Sequence, residues 1–223
     1  MSAAAVSRRA RPAKAPLSRE VIVETGLRIL DRDGAAALTM RRVAQDLDTG
    51  AASLYVYVAN RDDLMAAMLD HVLGGVPEPG GANWRERLTA LADTMVAAMS
   101  KHEGLALVAL GVIPSSPNAV RLVELMLGAL IEAGLDERTA SWAVDLLYLH
   151  ITAAAAEQSA HDTGGGSEQE YLAAMERRFA ELPADRYPTV VAMRQALLAG
   201  DGDARAAWAV RVLINGILAT PAE

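Results

Sequence analysis

Residues 38–64, LTMRRVAQDLDTGAASLYVYVANRDDL, decide how this chain is read. Thr39 is a good N-cap, and the helix it opens carries Arg41, Arg42, Val43, Ala44 and Leu47. Val43 and Leu47 lie four apart and share one face. Asp48-Thr49-Gly50 breaks that helix. A second helix is expected over Ala51–Val58, with Leu54 and Val58 facing inward. Asn60 then caps a third, with Asp63 at its third position and acids near the positive end of its dipole. Two helices joined by so tight a turn must cross steeply, as in a helix-turn-helix. The second is too short to be stable alone and must be held by its neighbours. Its outward face carries small residues and phenols, which suits a helix pressed against DNA. The plainer reading, three ordinary packed helices, is what composition alone would favour.

The order and spacing of these positions closely resemble the N-terminal DNA-binding domain of the tetracycline repressor (TetR) family. The resemblance is specific from about Leu17 to Leu73. It is strongest at Thr39–Leu47, at Ser53-Leu54-Tyr55 and at Asn60-Arg61-Asp-Asp-Leu. Three positions depart from the family pattern: Asp48 replaces glycine, Thr49 an aliphatic residue, and Gly50 a serine or threonine N-cap. Asp tolerates the left-handed region and glycine is an acceptable N-cap, so the turn is expected to survive. The matched positions, read with the shared outward face, give the DNA-contacting set Thr39, Arg41, Ala51, Ala52, Ser53, Tyr55, Tyr57 and Arg61. Arg41, Tyr55, Tyr57 and Arg61 are expected on phosphates, and Ala51, Ala52 and Ser53 nearest base edges.

Working outward, the 223 residues exceed one small domain, and 52% are hydrophobic but only 4% aromatic. No segment alternates as a half-buried strand does, so the fold class is all-α. The absence of cysteine excludes disulfides and thiolate chemistry. No apolar run is long enough to span a bilayer, and no apolar core follows the N-terminal arginines as a secretory signal would require. A cytoplasmic protein is expected. The net charge is −7, but its distribution is uneven: residues 1–75 sum to +1 and the remainder to −8. The acid lies away from the helix-turn-helix.

Three segments are expected. Residues 1–17 read as a disordered basic tail, either simply solvated or an arm reaching DNA. Residues 18–75 form the DNA-binding domain, ending in the linker Gly74-Gly75-Val-Pro-Glu-Pro-Gly-Gly. Residues 76–223 form a helical ligand-binding and dimerisation domain. Within it, a pocket is expected between the helices at 84–102, 105–113, 118–133 and 142–150. Its candidate lining is Trp84, Met95, Met99, Leu107, Met126, Leu130, Trp142 and Tyr148, with His102 and His150 as polar handles. Such a stripe equally describes a plain core. The helices at about 138–160 and 203–219 are apolar around more of their circumference than one core can cover. They are expected to meet a second copy through Ala153, Ala156, Trp208, Val212, Leu213 and Ile217, an arrangement the resemblance also implies.

No catalytic residues, metal ligands or cofactor motif can be assigned. His71, His102, His150 and His161 have no second ligand at metal spacing, and no phosphate loop, dinucleotide fingerprint or serine elbow occurs. Three readings remain open. The resemblance implies a homodimeric repressor that binds a palindromic double-stranded operator and is released by a small apolar or amphipathic effector. Activation rather than repression is open within that reading, and a DNA-binding protein without a small-molecule effector is the second. An all-helical protein with no DNA role is the third.

Overall fold

The computed structural model describes residues 16–111, 113–163, 168–199 and 202–222. Residues 1–15 of the expected tail, its arginines included, lie outside these, whereas Leu17 packs half-buried against the head. All regular structure among the described residues is helical. The head comprises α1 (Arg19–Asp33), a short 3-10 turn (Ala35–Ala37), α2 (Met40–Asp46), α3 (Ala51–Leu54) and the first half of α4 (Arg61–Gly74). The body comprises α5 (Trp84–Ser100), α6 (Leu105–Leu110), α7 (Pro117–Glu132), α8 (Glu137–Thr163), α9 (Glu168–Ala180), α10 (Pro188–Leu198) and α11 (Gly202–Ala219).

The caps follow local chemistry. Ser18 accepts from the Val21 N–H, Thr39 from Arg42 and Asn60 from Asp63. The Asp63 carboxylate reaches back to the Ala59 N–H at 2.8 Å, closing a reciprocal box. Asn83 and Glu86 repeat the device at α5, where Glu86 accepts from the Ala82 N–H. Asp136 accepts from the backbone of Arg138 and from both the hydroxyl and the backbone of Thr139, which holds its carboxyl below the ordinary value and opens α8. α3 is shorter than expected. Gly50 offers no side chain to cap it, and the β-branched Val56 lies outside the regular helix. A last hydrogen bond from Val58 N–H to Leu54 O still brings Val58 inward.

Two apolar clusters result. The head cluster contains Ile22, Ile29, Leu30, Leu38, Val43, Leu54, Val58, Leu64 and Met68. Leu105 of the body joins it. The body cluster contains Leu88, Met95, Met99, Leu122, Met126, Leu147 and Ile151, among others. α4 belongs to both: Leu64, Met65, Met68 and Val72 face the head, while Leu69 and Leu73 face the body. The chain leaving α4 is pinned rather than loose. Arg121 donates to the carbonyls of Leu73 and Val76 at 3.1 and 2.8 Å. The Asp70 carboxylate accepts from both the backbone and the side-chain nitrogen of Asn118 at 2.9 and 3.1 Å.

Asp70→Ala leaves two half-buried Asn118 donors without their carboxylate. It is expected to cost about 1–3 kcal/mol and to lower the thermal midpoint by roughly 2–4 °C per kcal/mol. Thermal unfolding followed by circular dichroism measures this; an unchanged midpoint contradicts the clamp.

Candidate nucleic-acid interface and effector region

The turn between α2 and α3 forms as the sequence suggested. Asp48 takes φ 48°, the left-handed conformation for which Asp is among the better non-glycine residues. Thr49 is half-buried beside it, and its N–H donates to Ala44 O at 2.9 Å. Leu54 and Val58 are fully buried, so α3 turns its other side out. That side presents Ala52, Ser53 and Tyr55, with Tyr55 53% exposed. Ala51 and Tyr57 are half-buried and pack against the head cluster. Val56, 80% exposed, is a residue the sequence reading passed over. Its exposure follows from the early end of α3, which periodicity alone did not show.

The flanking polar residues divide by task. Thr39 is exposed, and its hydroxyl caps α2 through Arg42 N–H at 3.1 Å. Arg41 is exposed, with no ion pair to any described residue. Arg42 is held by Asp46 and Asp33 at 3.0 and 3.2 Å, and Arg32 completes the cluster by pairing with the same two acids. The Arg32 guanidinium keeps the Asp33 carboxyl below its ordinary value.

Arg61 makes contacts within the head that were not expected of it. Its guanidinium donates to Leu38 O at 2.9 Å and to Ala35 O at 3.0 Å, carbonyls 23 and 26 residues earlier in the chain. A planar fork with several donors can hold two carbonyls at once, so the residue fastens the start of α4 to the segment leading into α2.

In the body, Met95, Met99, Met126, Leu130 and Tyr148 converge in the buried cluster, with Trp84 half-buried against it. Burial pushes the Tyr148 phenol above its ordinary pKa, so it stays a neutral donor. His150 is half-buried on α8. Two of the expected lining residues lie elsewhere: Leu107 and Trp142 are each 62% exposed. On α6 the inward positions belong to Leu105, Ala106 and Ala109, and on α8 to Ala140, Ala143 and Val144, which turns 107 and 142 to the outside. His102 is also displaced from that role. Its Nδ1 lies 2.7 Å from Asp31 Oδ1 of α1, joining body to head. A cleft of about 570 Å³ opens there, between α1, α4 and α5.

The expected seam helices adjoin each other. Val210, Ile214 and Ile217 of α11 enter the body cluster, and Leu213 and Ala156 pack half-buried against it. Ile217 is therefore a core residue of its own chain, because positions 210, 214 and 217 share the face of α11 that meets the body cluster. Trp208 and Val212 occupy the opposite face, 61% and 47% exposed. On α8, Trp142, Leu146, Leu149 and Ala153 form a parallel exposed stripe at helical spacing.

Comparison with known proteins places this arrangement. The family model described as Tetracyclin repressor-like, C-terminal domain, matches residues 76–220. The chain belongs to the tetracycline repressor family. The HTH-type transcriptional repressor DrrR1 of Streptomyces coeruleorubidus is 29% identical over 204 residues, covering 86% of this chain and 76% of the relative. The class D tetracycline repressor of Escherichia coli is 28% identical, covering 85% and 82%. ActR of Streptomyces coelicolor, solved in complex with actinorhodin, superposes with a TM-score of 0.82 at 36% identity, covering 94% of this chain and 99% of that one. The chain is a helix-turn-helix transcriptional regulator. Among the described residues, no helix is long and apolar enough to cross a membrane.

Arg61→Ala removes two charge-assisted bonds from the base of the head. It is expected to cost roughly 1–3 kcal/mol in head stability, with Arg61→Lys recovering only part because an ammonium lacks the fork. Hydrogen exchange at the amides of α2 and α4 measures it; unchanged protection in Arg61→Ala contradicts the staple.

Proposed function

We propose that this regulator acts as a homodimeric repressor that binds a two-fold symmetric operator and leaves it when a small molecule occupies the body. The observation that carries the reading is the outward face of α3, with Ser53 and Tyr55 exposed over a fully buried Leu54. Tyr55 and Arg41 position the phosphate backbone, and Ala52 and Ser53 lie nearest the base edges. Val56 offers its methyl groups to a thymine methyl.

The second copy covers Trp142, Leu146, Leu149 and Ala153 of α8 with Trp208 and Val212 of α11. Burying each large apolar side chain contributes about 1.5–3 kcal/mol before association costs. The dimer then presents its two heads to successive major grooves, about 34–36 Å apart. For the effector, the buried methionines Met95, Met99 and Met126 supply an adaptable lining, since an unbranched thioether repacks around a guest more readily than a branched side chain. ActR, a relative, was solved in complex with the small molecule actinorhodin. A guest that fits one disposition of body and head better than the other shifts the equilibrium by that difference in affinity.

Tyr55→Phe is expected to weaken DNA binding by a similar factor on every sequence, whereas substitution of Ser53 changes sequence preference. Fluorescence anisotropy with a panel of duplexes separates the two; equal affinity for wild type and Tyr55→Phe contradicts the docking. Sedimentation at micromolar concentration is expected to show a dimer for the wild type and a monomer for Val212→Glu, which would bury a charge without a partner. A wild-type monomer sinks the two-headed reading.

A further inference from the structure

The cleft between head and body has no part in the reading above. It is a shallow groove, largely open to solvent, with α1 on one side, the ends of α4 and α5 on the other and a volume of about 570 Å³. We propose that it is a second binding site, separate from the body interior, for an aromatic hydroxycarboxylate.

Its chemistry supports that class. The floor is apolar: Leu27 and Val72 are buried, and Ala98 is half-buried beside them. These come from α1, α4 and α5 in turn, so a flat ring laid on them touches head and body at once. The rim is polar and mixed. Asp31 is already engaged by His102, which closes that part of the rim. Arg28 is fixed by one bond from Nη2 to Thr25 Oγ1 at 2.7 Å and keeps its other donors. Lys101 stands exposed on the α5 side with no ion pair to any described residue. Both cations line the junction, one from the head and one from the body. A carboxylate held between them receives charge-assisted bonds from both. Glu24 and His71 complete the lining, and neither side chain has a partner among the described residues. A phenolic hydroxyl can donate to Glu24 or exchange a hydrogen bond with His71. A purely anionic ligand would leave Glu24 opposed, and a cation would meet Arg28 and Lys101. The hydroxycarboxylate satisfies both signs.

Such a ligand spans the two cores that α4 joins. If its affinity differs between two dispositions of head and body, its occupancy is coupled to DNA affinity in both directions.

The test uses the full chain, labelled with 15N and titrated with 1-hydroxy-2-naphthoate in the absence of DNA. Saturable shifts are expected at the amides of Leu27, Val72, Ala98 and Lys101. Lys101→Glu and Arg28→Glu are each expected to weaken binding about tenfold, the scale of one charge-assisted hydrogen bond. Lys101 is exposed and unpaired, so its variant folds; unchanged circular dichroism checks that. 1-Naphthol, which has the ring and hydroxyl without the carboxylate, is expected to bind more weakly by a similar factor. Saturable shifts confined to the surroundings of Met126 and Tyr148 overturn the proposal and leave the body site standing. Equal affinity in the wild type and both variants, or no saturation up to the solubility limit, overturns it as well.

Discussion

Everything in this molecule depends on one helix being buried on two sides. Along α4, Leu64 and Met68 lie against the head while Leu69 and Leu73 lie against the body. All four are 5% exposed or less, so each contributes about 1.5–3 kcal/mol of apolar burial. The two clusters therefore cannot move independently of α4. Its first turn is locked by the Asn60–Asp63 box and by Arg61 on the carbonyls of Leu38 and Ala35. Its last turn is locked by Asn118 and by Arg121 of α7. α4 is thus tied at its start to the segment leading into α2 and at its end to α7.

Electrostatics at the head follow a division of labour. Arg32 and Arg42 are neutralised by Asp33 and Asp46, a surface network that adds little stability but keeps these cations from drawing phosphates indiscriminately. Arg41 stays exposed, with no ion pair to any described residue.

The head was largely legible in the sequence. Thr39, Asn60 and the Leu54/Val58 pair announce short-range chemistry, and the left-handed turn at Asp48 is a local event at a residue that tolerates it. What sequence did not reveal is long-range. Nothing near Arg61 signals carbonyls more than twenty residues away, and its match to a motif position suggested DNA instead. Nothing near His102 signals Asp31. In the body the difficulty is different in kind. α8 and α11 are apolar on several sides, so periodicity says that both faces need cover without saying which faces their own chain. Ile217 and Trp208 are indistinguishable under such ambiguity, as are Met99 and Trp142. Only the packing of α8 on α5 and of α11 on α8 resolves it. α3 ends at Leu54 rather than Val58, where an uncapped Gly50 and the β-branched Val56 disfavour a longer helix.

The central claim is that two heads on one two-fold dimer read two half-sites. Selection of duplexes from a random library by the full-length protein addresses it and requires no operator sequence at the outset. The account predicts enrichment of an inverted repeat whose half-site centres lie about one helical turn, or a multiple of it, apart. Recovery of a single unrepeated half-site, or no enrichment over the starting library, would contradict it.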